Sequence, residues 1–413
     1  MNDQLDPGAQ IDARAAALES KVIAWRRDLH QHPELSNREV RTAGVVAKHL
    51  QALGLKVQTG VAHTGVVGLL DTGRPGPIIA LRADMDALPV TEEVDLPFAS
   101  RTRANFNGQD VGVMHACGHD CHVAILMGVV ELLAGMKQQL AGSIKFIFQP
   151  AEEGPPPGED GGAALMIRQG VLENPKPEVI FGLHVFAGVE AGTIAYRPGP
   201  AMASSDRIRL TVTGRQTHGA LPWRGVDPIV ISSQIVLGLQ TIVSRQVDVS
   251  LEPAVVSIGA IKGGVRDNII PGIVEMLGTV RTFNEDMRAD IHARIRNTVE
   301  MIARSAGASA QVHFDNAYPV TVNDVSLTER MVPTLQRVAG ADKVFVGQKI
   351  TGYEDFSYYQ QKIPGFFYFL GITPRGTERK QSAPNHSPRF FVDESALVLG
   401  VRSLAHLTLD CMR

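Results

Sequence analysis

The chain has 413 residues, 44% hydrophobic and 20% charged, with a formal net charge of -3. That length exceeds one compact core and predicts about two domains, the composition is that of a globular protein, and the charge leaves no basic footprint for nucleic acid. The start, MNDQLDPGAQIDARAAAL, lacks the basic and apolar segments of a secretory signal, and no uncharged apolar run approaches the roughly 18 residues of a membrane span.

In chain order, Leu18, Val22, Trp25 and Leu29 recur at three- and four-residue steps, predicting helix from about residue 12, and a second helical run stops at Leu53-Gly54. Short apolar runs at 77–81 (PIIAL), 143–148 (SIKFIF) and 179–183 (VIFGL) predict strands, with an amphipathic helix over 123–136 among them. This alternation predicts an α/β domain whose largely parallel sheet is buried on both faces. From about 203 to 319 the order changes to strand 206–213, helix 227–245, strands 254–262 and 272–282, helix 286–306 and strand 309–317. That βαββαβ order is a ferredoxin-like unit. The α/β character then resumes with the strand PGFFYFLG, a Pro/Asn/Ser-rich loop around His386 and a final helix. The expected architecture is a mainly parallel-sheet catalytic domain, residues 1–200 and 320–413, interrupted by an inserted ferredoxin-like α+β lid or dimerisation domain, residues 201–319. The biased stretch EEGPPPGEDGG suits an ordered surface loop more than a linker.

The polar motifs fall at one edge of the predicted sheet. RADMD follows the first strand, QPAEEG the second, and His184 closes the third, all just beyond the carboxyl ends where open α/β sheets bind ligands. MHACGHD sets the thiol of Cys117 and the imidazole of His119 in a turn opening a helix, beside His115, Asp120 and His122. Together with Glu152, Glu153, His184 and His386 they form the donor set of zinc-like divalent ions, and one bridging thiolate plus four further donors holds two metals. Of the adjacent Glu152 and Glu153, one carboxylate can ligate while its neighbour faces another way and works as general base. Asp84 and Asp86, two residues apart, cannot project identically; a carboxylate accepting the second N–H of a ligand histidine is the usual supporting device. Each motif alone also reads blandly, as a buried cysteine, a core histidine, a solvated acidic loop or a strand-end turn, and the convergence of several on one edge favours a site. His218, in TGRQTHGALPWRGVDPI, lies in the inserted domain in surroundings that also fit a structural turn. Asn268 in VRDNIIP and Arg281 in GTVRTF are weaker signals; an arginine suits a planar carboxylate, and a solvated strand residue reads as well. Cys117, Cys121 and Cys411 cannot build a disulfide framework and suit a reducing compartment, so a cytoplasmic protein is expected.

In order and spacing, LRADMDALP, MHACGHDCH, QPAEEG, GLHV, THGALPWRGVDPI, RDNIIPG and NHSPRF resemble the dinuclear metallopeptidases of the aminoacylase/carboxypeptidase type. The resemblance is closest to the amidohydrolase subgroup with hippurate hydrolase, auxin-conjugate hydrolases and N-acetyldiaminopimelate deacetylase, and it runs from about Trp25 to Phe391. It implies that Cys117 bridges two divalent ions, Zn2+ or Mn2+, with His119 and Glu153 completing one site and His184 and His386 the other. It further implies that Glu152 is the general base, that Asp86 orients a ligand histidine, that His218 stabilises the oxyanion and that Asn268 and Arg281 contact a substrate carboxylate. Asp84 stands where distant relatives have a histidine, and Cys117 where they have an aspartate. The implied activity is hydrolysis of N-acyl amino acids or related small amides and dipeptides, by a homodimer or higher homo-oligomer formed through the inserted domain, with no nucleic-acid or membrane partner. Two other readings are a magnesium phosphotransferase using DMDAL as a DxD nucleophile motif, which leaves Cys117, Glu153, His184 and His386 without a shared task, and a non-catalytic binding protein on a hydrolase fold.

Overall fold

The computed structural model describes residues 6–413, apart from the side chains of 316, 317 and 379. Two compact units are present: one comprises residues up to Gly199 with Asn323–Gln348 and Tyr358–Arg413, the other Pro200–Val322 with Lys349–Ser357.

The first unit is built on an eight-stranded sheet. Its centre is parallel, with Ser143–Gln149, Ile78–Asp84, Val179–Glu190 and Gly365–Thr373 side by side. Lys56–Val61 and Gly65–Asp71 add antiparallel strands on one flank, while Ile194–Tyr196 runs antiparallel to Gly365–Thr373 on the other and carries Val344–Val346 parallel to itself. The central strands are buried almost throughout, as expected where helices cover a parallel sheet. Lys145 in the middle of such a strand is accommodated because its ammonium donates to the carbonyls of Val171, Glu173 and Pro175 at 2.7–2.8 Å, and a buried cation needs that full set of partners.

Two details depart from the sequence reading. The helix expected over 123–136 as amphipathic spans His119–Ala134 and is buried nearly all round, because it is enclosed by Pro7–Gln31, Leu397–Cys411 and the strand Ile78–Asp84; a helix covered on every side has no polar face to display. The strand expected to close at His184 continues to Glu190. Its pairing with Ile78–Asp84 ends at Gly182, but Gly365–Thr373 pairs with it further on, so His184 sits beyond the end of one neighbour and within the ladder of the other.

The start of His119–Ala134 is anchored by a buried charge network. Arg26 Nε donates to Asp120 Oδ2 at 2.9 Å, and His30 bridges Asp120 Oδ2 at 2.8 Å and Glu92 Oε1 at 3.1 Å. An acidic residue in a helix's first turn also complements the positive end of its dipole.

The second unit is a four-stranded antiparallel sheet in which Ser205–Thr213 and Ile273–Thr282 are central, Ser309–Tyr318 flanks the former and Ala254–Gly263 the latter. The helices Pro228–Thr241 and Glu285–Ser305 supply Ile231, Ile235, Leu239, Ile291, Ile295 and Val299 to its core. This is the βαββαβ arrangement of a ferredoxin-like unit. Contrary to the expectation from uncharged runs, Pro228–Gln246, 19 residues of mean hydropathy 1.2, is long and apolar enough to cross a membrane by length and composition. One face of it, Ile231, Ile235, Leu239 and Ile242, packs in the unit's core, while Ile229, Val230 and Leu237 are exposed.

A buried ion pair joins sheet and helix here. Asp206, fully buried, accepts from Arg288 Nε at 2.8 Å and Nη2 at 2.6 Å, with His292 Nε2 at 3.0 Å. Burial alone would raise the Asp206 pKa, but the hydrogen bonds of Arg288 and His292 hold it below the usual carboxylate range. A depressed folded-state pKa contributes stability above the unfolded value of about 3.9, and that contribution is lost as pH falls through the folded value. Asp206→Asn, which leaves Arg288 without its main partner, is expected to cost about 3–5 kcal/mol in urea unfolding at neutral pH. The loss should shrink in acid, where the wild-type carboxylate is protonated; a mutant with unchanged unfolding midpoint would show that the pair contributes nothing net.

Candidate metal centre

Every predicted metal ligand lies in the first unit, at one edge of its sheet. Asp84 ends the strand Ile78–Asp84, Asp86 follows it, and Glu152 and Glu153 follow Ser143–Gln149. Cys117 precedes His119–Ala134 through Gly118, which has φ +95° and whose missing Cβ would collide with Val185 Cγ2; only glycine meets both demands. Ala151 (φ +53°) and His386 (φ +71°) also occupy the left-handed region at this edge, and such strain in non-glycine residues concentrates at functional sites.

Cys117 is the hub. Its Sγ lies 3.4 Å from His184 Nε2 and 3.2 Å from His386 Nε2, and His386 Nε2 lies 3.2 Å from Glu153 Oε1. His119 Nε2 stands 3.9 Å from Glu152 Oε2 and 4.0 Å from Glu153 Oε1. Donor atoms of Cys117, His119 and His184, of Cys117, Glu153 and His386, and of His119, Glu152 and Glu153 all fall within 4.8 Å of one another. Buried His119 Nε2 has no hydrogen-bond partner among the described residues, which is costly unless a ligand completes it. His184 Nδ1 lies 2.7 Å from the carbonyl of Val185; a carbonyl only accepts, so Nδ1 carries the proton and Nε2 directs a lone pair toward Cys117.

The electrostatics call for cations. Burial alone would lower the His119 pKa, but Asp84, Asp86 and Glu153 hold it up at about 10. Burial, together with Glu153, Glu152 and Asp84, pushes the Cys117 thiol well up, so its thiolate requires added positive charge. His184 is pushed well down by burial and by His122, which keeps it a neutral donor. A soft thiolate, two buried imidazoles and carboxylates fit divalent ions of the zinc type.

Supporting groups complete the site. Asp86 Oδ1 lies 3.3 Å from His119 Nδ1, and its two oxygens accept the backbone N–H groups of Glu152 and Glu153 at 3.0 Å each. Asp84, whose carboxylate burial would raise, is held well below the usual range by His119, Arg82 and His122. Its oxygens are engaged, Oδ1 at 2.5 Å from His122 Nδ1 and Oδ2 at 2.6 Å from Arg82 Nη1, so the DxD reading loses its free nucleophile. The sequence reading used His122 only as a neighbour; its ring joins Asp84 to the backbone N–H of Val185, which it accepts at 2.8 Å, and its position three residues after His119 was the available signal. Asn385 went unmarked: it donates to the carbonyls of Cys117 and Val185 at 3.0 and 3.2 Å and accepts from Ala187 N–H at 3.0 Å, tying the His386 loop to the sheet.

The remaining candidates belong to the second unit. His218 and Asn268 share a ribbon: His218 pairs with Ile269, and Gly219 N–H donates to the Asn268 carbonyl at 2.8 Å. His218 is exposed, and its Nδ1 accepts from Ala220 N–H at 3.0 Å, which leaves the proton on Nε2. Arg281, on Ile273–Thr282, lies 4.8 Å over the ring of Tyr353, with Nη1 buried and unpartnered among the described residues.

Residues 80–410 match Peptidase family M20/M25/M40. The chain is 41% identical over 394 residues to Thermostable carboxypeptidase 2 of Saccharolobus solfataricus, covering 95% of each. It is 38% identical over 392 residues to N-acetylcysteine deacetylase of Bacillus subtilis, covering 95% of this chain and 97% of the relative. The Bacillus subtilis YXEP structure, described as a dinuclear metal binding peptidase from the M20 family, superposes with a TM-score of 0.79 at 35% identity, covering 96% of this chain and 99% of that one. With four-fifths of its length matched and relatives this similar along nearly all of it, the chain belongs to Peptidase family M20/M25/M40.

Proposed function

We propose that the protein is a metal-dependent amidohydrolase that cleaves the amide bond of N-acyl amino acids or related small amides and dipeptides. The observation that supports this reading most is the convergence of Cys117, His119, His184, Glu153 and His386 around one thiol, with the carboxylate of Glu152 alongside. The pairing of ligands that the resemblance implies gives way to the one the donor atoms form: Cys117, shared by both, would hold one divalent ion with His119 and His184 and the other with Glu153 and His386, because these are the sets whose donor atoms lie together. Zinc is favoured by thiolate and imidazole, and manganese is compatible with the carboxylate. When bound, the ions polarise the substrate carbonyl and lower the pKa of water.

The chain's own residues do the rest. Glu152 accepts the proton of the attacking water and returns it to the leaving nitrogen, so that one amide and one water give one carboxylic acid and one amine. Asp86 holds His119 in orientation. His218 offers its Nε2–H to the developing oxyanion, and Asn268 and Arg281 hold the substrate carboxylate. The first unit is the catalytic domain and the second the lid or dimerisation domain, with the expected boundary at 320 moved to Asn323 and Lys349–Ser357 belonging to the second unit. A homodimer through that domain is supported by the edge strand Ala254–Gly263, which exposes Val255 and Ile261; unpaired strand edges invite pairing with a copy. Three unbonded cysteines support a cytoplasmic location.

The test is a panel of N-acyl amino acids and dipeptides assayed with zinc, manganese or cobalt, reading release of free amine. At least one amide should be hydrolysed in a metal-dependent manner, with phosphomonoesters untouched. Activity that survives complete removal of metal would refute the reading.

A further inference from the structure

The turn that carries Glu152 and Glu153 is held from a part of the chain more than a hundred residues away. Three consecutive backbone N–H groups, those of Ala151, Glu152 and Glu153, each end on a buried carboxylate oxygen: Ala151 on Glu39 Oε1 at 2.9 Å, Glu152 on Asp86 Oδ1 and Glu153 on Asp86 Oδ2 at 3.0 Å. Ala151 has φ +53°, a conformation that costs a non-glycine residue about 1–2 kcal/mol and persists only where its surroundings over-determine it. Glu39 is fully buried; its Oε1 also accepts from Asn37 N–H at 3.0 Å, and its Oε2 bonds the Thr64 hydroxyl at 2.5 Å.

The same corner, between the helices Pro7–Gln31 and Val40–Ala52, makes further bonds into the site. Ser36 Oγ donates to Asp86 Oδ2 at 2.7 Å. Asn37 and Arg38 hold Glu159 at the far end of the proline loop, through Asn37 Nδ2 at 3.1 Å and Arg38 Nη2 at 2.5 Å. Residues 36–39 thus grip both the turn and the loop that follows it.

We infer that Glu39 is a positioning residue for the catalytic turn, fixing the Pro150–Ala151 peptide at the start of the turn so that the two adjacent glutamates present their carboxylates in different directions. The inference rests on the roles proposed above for Glu152 and Glu153. Its physical content is distance: an aspartate is one methylene too short to reach Ala151 N–H, and misplacement of about 1 Å costs on the order of a hundredfold in rate. Glutamine keeps Oε1 as acceptor, and its Nε2–H donates to Thr64.

The experiment compares Glu39→Gln, Glu39→Asp and Glu39→Ala with wild type in kcat and KM at saturating metal, metal affinity and melting temperature. Glu39→Gln should stay within about threefold of wild type, while Glu39→Asp and Glu39→Ala should lose about 10- to 100-fold in kcat with KM little changed. Both should also bind one of two metal equivalents about 10- to 100-fold more weakly, the usual effect of removing an outer partner, because Glu153 rides on the same turn. Full kcat in Glu39→Asp, or a loss in Glu39→Gln as large as in Glu39→Ala, would overturn the inference, as would a fall in melting temperature alone. If Glu39→Ala does not fold, Glu39→Asp decides. If wild type hydrolyses no amide, the functional reading fails by itself, and metal affinity still decides on Glu39.

Discussion

Glu152→Gln is expected to retain both divalent ions and to lose at least about a hundredfold in kcat, the scale of a missing general base. The substitution preserves shape and the backbone N–H that Asp86 accepts, and it removes only the group that receives the proton. Glu153→Gln should behave differently although it is the next residue. Glu153 Oε1 lies 3.2 Å from His386 Nε2 and shares the donor cluster of Cys117, so its loss should lower occupancy of one metal, with part of the activity restored by excess metal in the assay. Metal content and turnover measured side by side decide the matter. Metal loss in Glu152→Gln with retention in Glu153→Gln would exchange the two roles, and full activity in both would remove the proposed mechanism.

Cys117→Ala should be still more disruptive. Wild type prepared without chelator is expected to hold about two equivalents of divalent metal, because the five candidate donors exceed what one tetrahedral site needs. The thiol is within reach of both His184 and His386 and belongs to two of the donor groups. Its removal deletes the only atom common to both and should release most of both equivalents, with activity following. The carboxylates and imidazoles left behind keep their backbone supports through Asp86 and Val185, so the protein should remain folded. A single equivalent in wild type, unchanged in the mutant, would exclude a bridging thiolate.

Much of this protein is legible as sequence because two of its signals are local. Apolar runs such as SIKFIF and the alternation from Ser205 to Tyr318 reflect side-chain periodicity, so the elements expected from them lie within a few residues of those observed, whereas Lys56–Val61, Gly65–Asp71, Ile194–Tyr196, Val344–Val346 and the helix Val325–Ala339 were not expected. The chain reversal after a parallel strand puts the next polar residues at one edge, so Asp84, Asp86, Glu152 and Glu153 share a locality that strand order alone predicts. The residues that only tertiary structure identified act across the fold. His184 lies inside a strand rather than at its end because a second neighbour extends the ladder. The helix after Cys117 is buried nearly all round because other elements enclose it. Asn385 and Glu39 gain their roles only when the folded chain brings them to Cys117 and Ala151. Periodicity tells which face of an element is buried, but a hydrogen bond between residues 39 and 151 leaves no mark in either segment, since its energy depends on a separation that only the folded chain sets.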